Sequence, residues 1–275
     1  MVPTSLESSL GSSLHLPNKV TEPEVGEACF NNMNPYCDPE TGICTPSSLN
    51  ELESLGQGKI ADKTEIIYVG DPMCSWCWGI SPMLLELRDH YRKQEIGYRV
   101  VVGGLRPGGG DPWNDQMKDF LKEHWGHVTE MSGQPFGYKL MDLHEFEYDT
   151  EPSCRAVVAA RPLVNEKEME FFEEVQRKFY VDSEDPKLPQ YYASICDKFD
   201  INFGDFLSRF ESPEVAQETM KEFNLNRQWG VKGYPSVILM HQDQLFLLAN
   251  GYATFDQMKE RIERVLHSQA EQPTA

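Results

Sequence analysis

The sequence has no apolar run close to the ~18 residues that a membrane-spanning helix requires. Basic residues are scarce, with 25 Lys and Arg against 44 Asp and Glu, and the formal net charge is -19. Such a charge repels phosphate backbones and anionic membrane surfaces, so we expect neither nucleic acid nor a membrane as a partner. The amino end also lacks the basic start and apolar core of a secretory signal, and we therefore expect a cytoplasmic protein.

Cysteines are few as well, seven in 275 residues, and in a cytoplasmic chain they do not indicate a disulfide scaffold. We expect them to be catalytic, metal-binding, or buried and inert. The C-x-x-C at Cys74 and Cys77 has no second such pair, and the nearest histidine is His90. Because a zinc site normally needs four ligands, we predict no metal at this pair and no other cofactor.

Strand and helix patterns predict an α/β domain with a helical interruption. The segments KTEIIYVG (63–70) and IGYRVVVGGL (96–105) are short β-branched and aromatic runs, and apolar residues recur between them at helical spacing. This βαβ unit predicts a parallel sheet. Helices are predicted next, at 114–125, 152–163, 167–181, 187–199, 203–210 and 213–229. The strand pattern returns at 236–242 and 244–250, and an amphipathic helix follows.

The same patterns give domain boundaries. Residues 1–60 are rich in Ser, Pro, Asn and Glu and show little periodicity, so they are predicted to form a flexible, disordered tail that contains cysteines. Residues 61–105 and 212–270 are predicted to form the α/β domain. Residues 106–211 are predicted to form an all-helical insertion between its two halves.

The C-x-x-C pair lies where the first strand ends and the first helix begins. Pro72 cannot lie inside a helix, so the helix is predicted to start near Cys74. Unpaired backbone N–H groups and the positive end of the helix dipole favour a thiolate at that position. Cys77 lies one turn later on the same face, where it can attack a mixed disulfide on Cys74. We therefore predict that Cys74 is the nucleophile and Cys77 the resolving thiol.

Two neighbours of the pair are further candidates. Asp71 is three residues before Cys74, where it would either transfer protons to and from the thiols or form a turn or helix cap. Trp76 lies between the two cysteines and is expected to be exposed by the motif and to contact substrate, whereas Trp78 fits the helix core equally well.

A proline stands directly before a predicted strand in GVKGYPSVIL (230–239). Proline is tolerated at the first residue of a strand, and the Tyr234–Pro235 bond is either cis or part of an ordinary loop.

These features resemble the DsbA-like branch of the thioredoxin superfamily over about residues 64–265. Within that branch they are most similar to the cytoplasmic proteins of the FrnE type, which are predicted protein-disulfide isomerases. The segments that carry the resemblance are DPMCSWCWG, VVGGLRPGG, HW (124–125), GQPF (133–136), YDTEPSCRAVVAAR (148–161) and the final GYP.

The resemblance implies a thioredoxin fold interrupted by an all-helical insertion. It implies that Cys74 attacks, that Cys77 is its partner, and that Pro235 is a cis-proline facing the pair. It also implies that Tyr234 lends backbone groups to an extended substrate peptide. Ser-Trp replaces the Pro-His dipeptide of strongly oxidising DsbA, so no histidine is expected beside the nucleophile and a powerful oxidant is not expected.

Five cysteines lie outside the pair. Cys154 and Cys196 are expected to be buried and inert, although Cys154, at a helix start beside an arginine, has some features of a reactive thiol. Cys29, Cys37 and Cys44 lie in the predicted tail. They are candidates for a reversible disulfide, for metal ligands, or for a tethered redox partner of the main pair.

The leading hypothesis is an enzyme, a thiol–disulfide oxidoreductase or isomerase that acts on protein disulfides through the C-x-x-C pair. Its partners would be proteins with disulfides or thiols, and a reducing or oxidising partner that recycles it. One alternative is a glutathione-linked isomerase of small aromatic acids, although such enzymes of this superfamily carry a serine where Cys74 stands. Another is a peptide-holding chaperone or adaptor whose thiols are incidental.

Overall fold

The computed structural model describes residues 43–44 and 64–270, and these contain a five-stranded sheet. The strands are β1 (Ile43–Cys44), β2 (Glu65–Gly70), β3 (Gly97–Val102), β4 (Ser236–His241) and β5 (Gln244–Asn250). Their order in the sheet is β1-β5-β4-β2-β3. β2 and β3 run parallel, and the other neighbouring strands run antiparallel.

Eight α-helices occur in the described residues. They are α1 (Ser75–Arg92), α2 (Asp115–Ser132), α3 (Glu151–Ala160), α4 (Glu168–Tyr180), α5 (Ala193–Lys198), α6 (Phe203–Phe210), α7 (Pro213–Gln228) and α8 (Phe255–Ala270). Two short 3-10 segments, Lys139–Asp142 and Pro189–Tyr192, complete the helical structure. A βαβ unit, an antiparallel hairpin and a closing helix make up a thioredoxin fold, and this confirms the predicted fold class.

Strand β2 is the central strand of the α/β domain. All six of its residues are buried, and it pairs with β3 on one side and β4 on the other. A strand enclosed on both faces explains the continuous apolar run in the sequence, because neither face has to present polar side chains to water. The end of this strand, where α1 begins, is therefore a rigid position for reactive groups.

The helices between β3 and α7 form the predicted insertion, and no strand occurs over the described residues 106–211. Helix α2 runs to Ser132 rather than to the predicted 125, because its buried apolar stripe continues from Leu121 and Trp125 to Val128. The helix ends at Gly133, whose φ of 76° is left-handed. The predicted helix over 187–199 is instead a 3-10 turn followed by the short α5.

The insertion and the sheet share one apolar core. A single buried cluster contains Ile66 of β2, Leu84 of α1, Val157 of α3 and Phe172 of α4. Such continuous burial fixes the insertion on the face of the sheet that α1 also covers. The insertion helices can therefore hold groups at the end of β2 where α1 begins.

Arg161, directly after α3, ties the insertion to the end of β3 by ion pairs. Its guanidinium lies 2.6 Å from carboxylate oxygens of both Glu168 and Glu222. Glu222, on α7, also accepts a hydrogen bond of 2.8 Å from the backbone N–H of Val102. The cluster thus joins α3, α4, α7 and the sheet.

Strand β1 lies within the segment predicted as tail. Its backbone pairs with that of Leu245 and Phe246 at the edge of the sheet. The sequence did not predict this strand, because two residues carry no periodicity. The remainder of the predicted tail lies outside the described residues. Among the helices that the structure describes, none is both long and apolar enough to cross a membrane.

Replacing Arg161 by methionine should lower the free energy of unfolding by about 2–3 kcal/mol, because two largely buried carboxylates would lose their shared cation. Urea denaturation followed by circular dichroism measures the change. Arg92→Met is the matched control, since Arg92 pairs with Glu166 on the surface and both side chains are exposed. This control should cost less than about 1 kcal/mol. Equal losses in the two variants would contradict the proposed anchoring role.

Candidate active site

Cys74 occupies the N-cap position of α1, as the sequence predicted. Its φ and ψ of -91° and 117° are extended, and its carbonyl accepts the N–H of Trp78 at 3.1 Å, the first hydrogen bond of the helix. Its own N–H donates to the carbonyl of Asp71 at 3.0 Å, which closes the turn through Pro72. The thiol therefore lies at the positive end of the helix dipole. The residue is 6% exposed.

The loop before β4 faces this thiol. The Cys74 Sγ donates a hydrogen bond to the carbonyl oxygen of Tyr234 at 3.4 Å, and the Tyr234–Pro235 bond is cis, as predicted. The Tyr234 hydroxyl donates to the Gly103 carbonyl at 2.7 Å, and a Cβ on Gly103 would lie 2.6 Å from the Tyr234 ring. A glycine at residue 103 therefore allows Tyr234 to lie flat against the end of β3 and fixes its carbonyl beside Cys74.

Cys77 is fully buried one turn into α1. Its Sγ accepts a hydrogen bond of 3.5 Å from the backbone N–H of Asp71. Burial raises the pKa of the Cys77 thiol well above its ordinary value, and the neighbouring Cys74 sulfur raises it further. Cys77 is thus held as a neutral thiol, while Cys74 lies at the helix start and retains slight exposure.

Asp71 is fully buried, and its carboxylate holds backbone in place. One oxygen accepts the N–H of Met73 at 2.8 Å, and the other accepts the N–H of Leu105 at 2.6 Å and the thiol of Cys154 at 3.4 Å. Burial raises the pKa of Asp71 above its ordinary value, and the hydrogen bonds from Leu105 and Met73 oppose the rise. Of the two predicted roles, these contacts support the turn-forming one; the role in proton transfer stays a prediction.

The insertion contributes a second set of contacts, one to the loop before Cys74 and one to the segment that follows β3. The hydroxyl of Tyr148 donates to the carbonyl of Met73 at 2.8 Å, and Thr150 Oγ1 accepts the N–H of Arg106 at 3.0 Å. Neither residue was predicted as part of the site. Both residues lie in the segment YDTEPSCRAVVAAR. That segment carried the family resemblance, but it did not indicate what its polar residues contact.

Trp76 is half-buried rather than freely exposed. Its ring meets those of His124 and His127 on α2 edge to face, at centroid distances of 5.9 and 5.6 Å, and lies 6.0 Å from the ring of Tyr252. Burial, and then His127, lowers the pKa of His124. The sequence placed no histidine beside the C-x-x-C pair, but the insertion brings two of them against its central residue.

The remaining predicted residues have separate positions. Cys154 and Cys196 are fully buried, as expected; burial raises the pKa of both thiols, that of Cys196 to about 11. Trp78 is a core residue whose indole N–H donates to the Pro135 carbonyl at 3.0 Å. Cys29, Cys37 and the side chain of Cys44 lie outside the described residues, so their three candidate roles stay open.

Comparison with known proteins places this arrangement in a family. Residues 67–260 match the thioredoxin family. Among curated proteins, the chain is similar to the ClpXP adapter protein SpxH of Shouchella clausii, with 21% identity over 214 residues that cover 76% of this chain and 67% of that protein.

Two solved structures extend the similarity. A protein from Nitrosomonas europaea, proposed to be a protein disulfide isomerase, is 30% identical with a TM-score of 0.69, and the match covers 75% of this chain and 99% of that one. The cytosolic disulfide reductase DsbM from Pseudomonas aeruginosa is 21% identical with a TM-score of 0.59, and the match covers 74% and 99% of the two chains.

The different positions of the two thiols give a direct prediction. Iodoacetamide should alkylate Cys74 faster than Cys77 in the reduced protein, because Cys77 is buried and its pKa is raised. Peptide mass spectrometry across a pH series measures both rates, with buried Cys196 as an internal reference for opening of the core. Faster labelling of Cys77 would overturn the assignment of nucleophile and resolving thiol.

The raised pKa of Asp71 predicts how stability depends on pH. A folded-state pKa above the unfolded value stabilises the protein at low pH, and this stabilisation is lost as the pH rises through the folded-state pKa. Asp71→Asn removes the titration, so the wild type should gain stability relative to this variant as the pH falls from about 7 to about 4. Urea unfolding of both proteins across that range provides the test. A difference that is constant or that shrinks toward acid pH argues against the buried carboxylate.

Proposed function

The chain belongs to the thioredoxin family, and on this premise we propose that it is a thiol–disulfide oxidoreductase that reduces or isomerises the disulfides of protein substrates. Membership of this family supports thiol–disulfide chemistry. The observation that carries the proposal is the contrast between Cys74, at the start of α1, and Cys77, fully buried one turn inside it. That contrast gives each thiol one of the two roles that disulfide exchange requires.

The proposed reaction begins when the Cys74 thiolate attacks one sulfur of a substrate disulfide. A new S–S bond forms, the substrate's bond breaks, and the second substrate sulfur leaves as a thiolate. Cys77 then attacks the Cys74 sulfur, its proton passes to the departing substrate thiolate, and an internal disulfide forms. Two electrons pass from the protein to the substrate. In isomerisation, the freed substrate thiolate attacks instead and displaces Cys74 unchanged.

Protein rather than small-molecule substrates are proposed on the basis of the groups around Cys74. The Tyr234 carbonyl beside the thiol is a backbone acceptor of the kind that an extended peptide pairs with. The half-buried ring of Trp76 offers an adjoining apolar contact. Tyr234, Pro235 and Trp76 are thus the proposed substrate-binding residues. The cytoplasmic location remains part of the proposal, and the reductase DsbM, of similar fold, is described as cytosolic.

Two other functions compete with this one. The small-molecule isomerase alternative is disfavoured, because a cysteine stands at residue 74 where those enzymes carry serine. An adaptor function draws support from the similarity to SpxH, which is a ClpXP adapter protein. An adaptor would work through its surface and would not require its thiols.

Reduction of insulin disulfides with glutathione as the electron donor tests the proposal. Cys74→Ser should lower the turnover at least about 100-fold, because the attacking sulfur is lost. Cys77→Ser should accumulate a mixed disulfide on Cys74 that mass spectrometry detects as an adduct. Cys196→Ala, a core cysteine on α5, is the matched control and should retain turnover. A wild-type protein that does not turn over, together with a Cys77→Ser variant that forms no adduct, would favour the adaptor function.

A further inference from the structure

The hydroxyl of Tyr68 is a buried polar group whose neighbour is a reacting sulfur. Tyr68 lies in the middle of β2, is fully buried, and packs its ring edge-on against Phe172 at a centroid distance of 5.4 Å. In the thiol form of the protein, its hydroxyl has no hydrogen-bond partner among the described residues. A buried donor without a partner costs stability, so its retention calls for an explanation.

The Tyr68 hydroxyl lies at the end of β2, beside the turn that leads to α1 and Cys77. Gly70, two residues later on the same face of β2, leaves the space that the hydroxyl occupies, because a Cβ on residue 70 would overlap it. Asp71, the residue after Gly70, donates its N–H to the Cys77 Sγ, so the hydroxyl and this sulfur lie beside the same turn and within one buried cluster. The hydroxyl lowers the pKa of the Cys77 thiol, while burial and the Cys77 sulfur raise the pKa of Tyr68 itself. Tyr68 therefore stays protonated and remains a donor.

A second donor reaches the same sulfur. The backbone N–H of Asp71 points at the Cys77 Sγ from 3.5 Å. Within the described residues, no group of three His, Cys, Asp or Glu side chains is arranged to hold a metal ion. Binding of Cys77 to a metal therefore does not explain the two donors. Two donors aimed at one buried sulfur fit an anion better than a neutral thiol.

We propose that Tyr68 is a catalytic residue whose hydroxyl, together with the Asp71 N–H, stabilises the Cys77 thiolate during disulfide exchange. The inference rests on the proposed function and deepens it. Cys77 must lose its proton before it attacks the mixed disulfide on Cys74, and the negative charge then forms on a fully buried sulfur where the two donors are already in place. The unpaired hydroxyl thus gains its partner only when the thiolate forms.

Tyr68 neither gains nor loses atoms or electrons in this step. Cys77 gives its proton to the departing substrate thiolate, the S–S bond between Cys74 and Cys77 forms, and the bond from Cys74 to the substrate breaks. Tyr68 keeps its proton throughout. In the reverse direction, a reducing thiol attacks Cys74, and the same donors stabilise Cys77 as it leaves.

The chromogenic disulfide dithiobis(nitrobenzoate) separates the two steps without a physiological substrate. The first thiol released reports attack by Cys74, and the second reports resolution by Cys77 at a rate independent of reagent concentration. The experiment uses the full chain with Cys29, Cys37 and Cys44 changed to serine. Tyr68→Phe should slow the second phase by about tenfold and leave the first within about twofold, because only a hydrogen bond to the Cys77 anion is lost.

The control and the pH profile separate catalysis from packing. Tyr98→Phe removes a hydroxyl from the neighbouring strand β3, where it contacts the sulfur of Met169 at 3.8 Å, and should change neither phase. The pH midpoint of the second phase should rise by about one unit in Tyr68→Phe alone. A second phase as fast as in the wild type, or equal slowing in Tyr98→Phe, overturns the role of Tyr68. Loss of both phases in the wild type would instead reject the proposed function.

Discussion

The burial of Cys77 beneath the start of α1 is the constraint on which the rest of the site depends. A thiol enclosed by the sheet and the helix is costly to ionise, and Cys77 is such a thiol, whereas Cys74 keeps 6% exposure at the helix start. Cys74 lies at the positive end of the helix dipole, and Cys77 accepts the N–H of Asp71 in the turn after β2. The proposed order of attack rests on this geometry, and an identical spacing on an exposed helix would not impose it.

The helical insertion contributes contacts that hold the turn before Cys74. Tyr148 holds the carbonyl of Met73, and Cys154 donates to the same carboxylate, Asp71, that fixes the turn before Cys74. Both come from the start of α3 or from the residues just before it. α2 supplies the histidines that enclose Trp76. The insertion thus determines how the active-site turn is held and how far the dithiol is exposed to a substrate.

The sequence was most informative where local patterns decide the structure. The apolar run of β2, the proline at residue 72 and the spacing of the two cysteines were enough to predict the start of α1 and the positions of Cys74 and Cys77. The length of α2 was underestimated, because the predicted helix over 114–125 stops seven residues before the observed end at Ser132.

Contacts between distant segments could not be predicted in the same way. His124 lies 48 residues from Trp76, and no periodicity links the two rings. In the sequence, Tyr68 fits an ordinary apolar strand residue. The proposed role of its hydroxyl depends on the positions of Gly70 and Cys77, which only the structure gives. Such roles arise from the packing of β2 against α1, and single-sequence patterns do not encode that packing.

The reduction potential of the Cys74–Cys77 pair, measured by equilibration with glutathione redox buffers and mass spectrometry of the trapped thiols, tests the central claim most directly. Strongly oxidising members of the superfamily have potentials near about -120 mV because their reduced form is stabilised. Here the inner thiol is buried and held neutral, so the account predicts one reversible two-electron transition close to the cytosolic glutathione range of about -220 to -260 mV, or below it. A potential near about -120 mV, or the absence of a disulfide between these two cysteines, would contradict it.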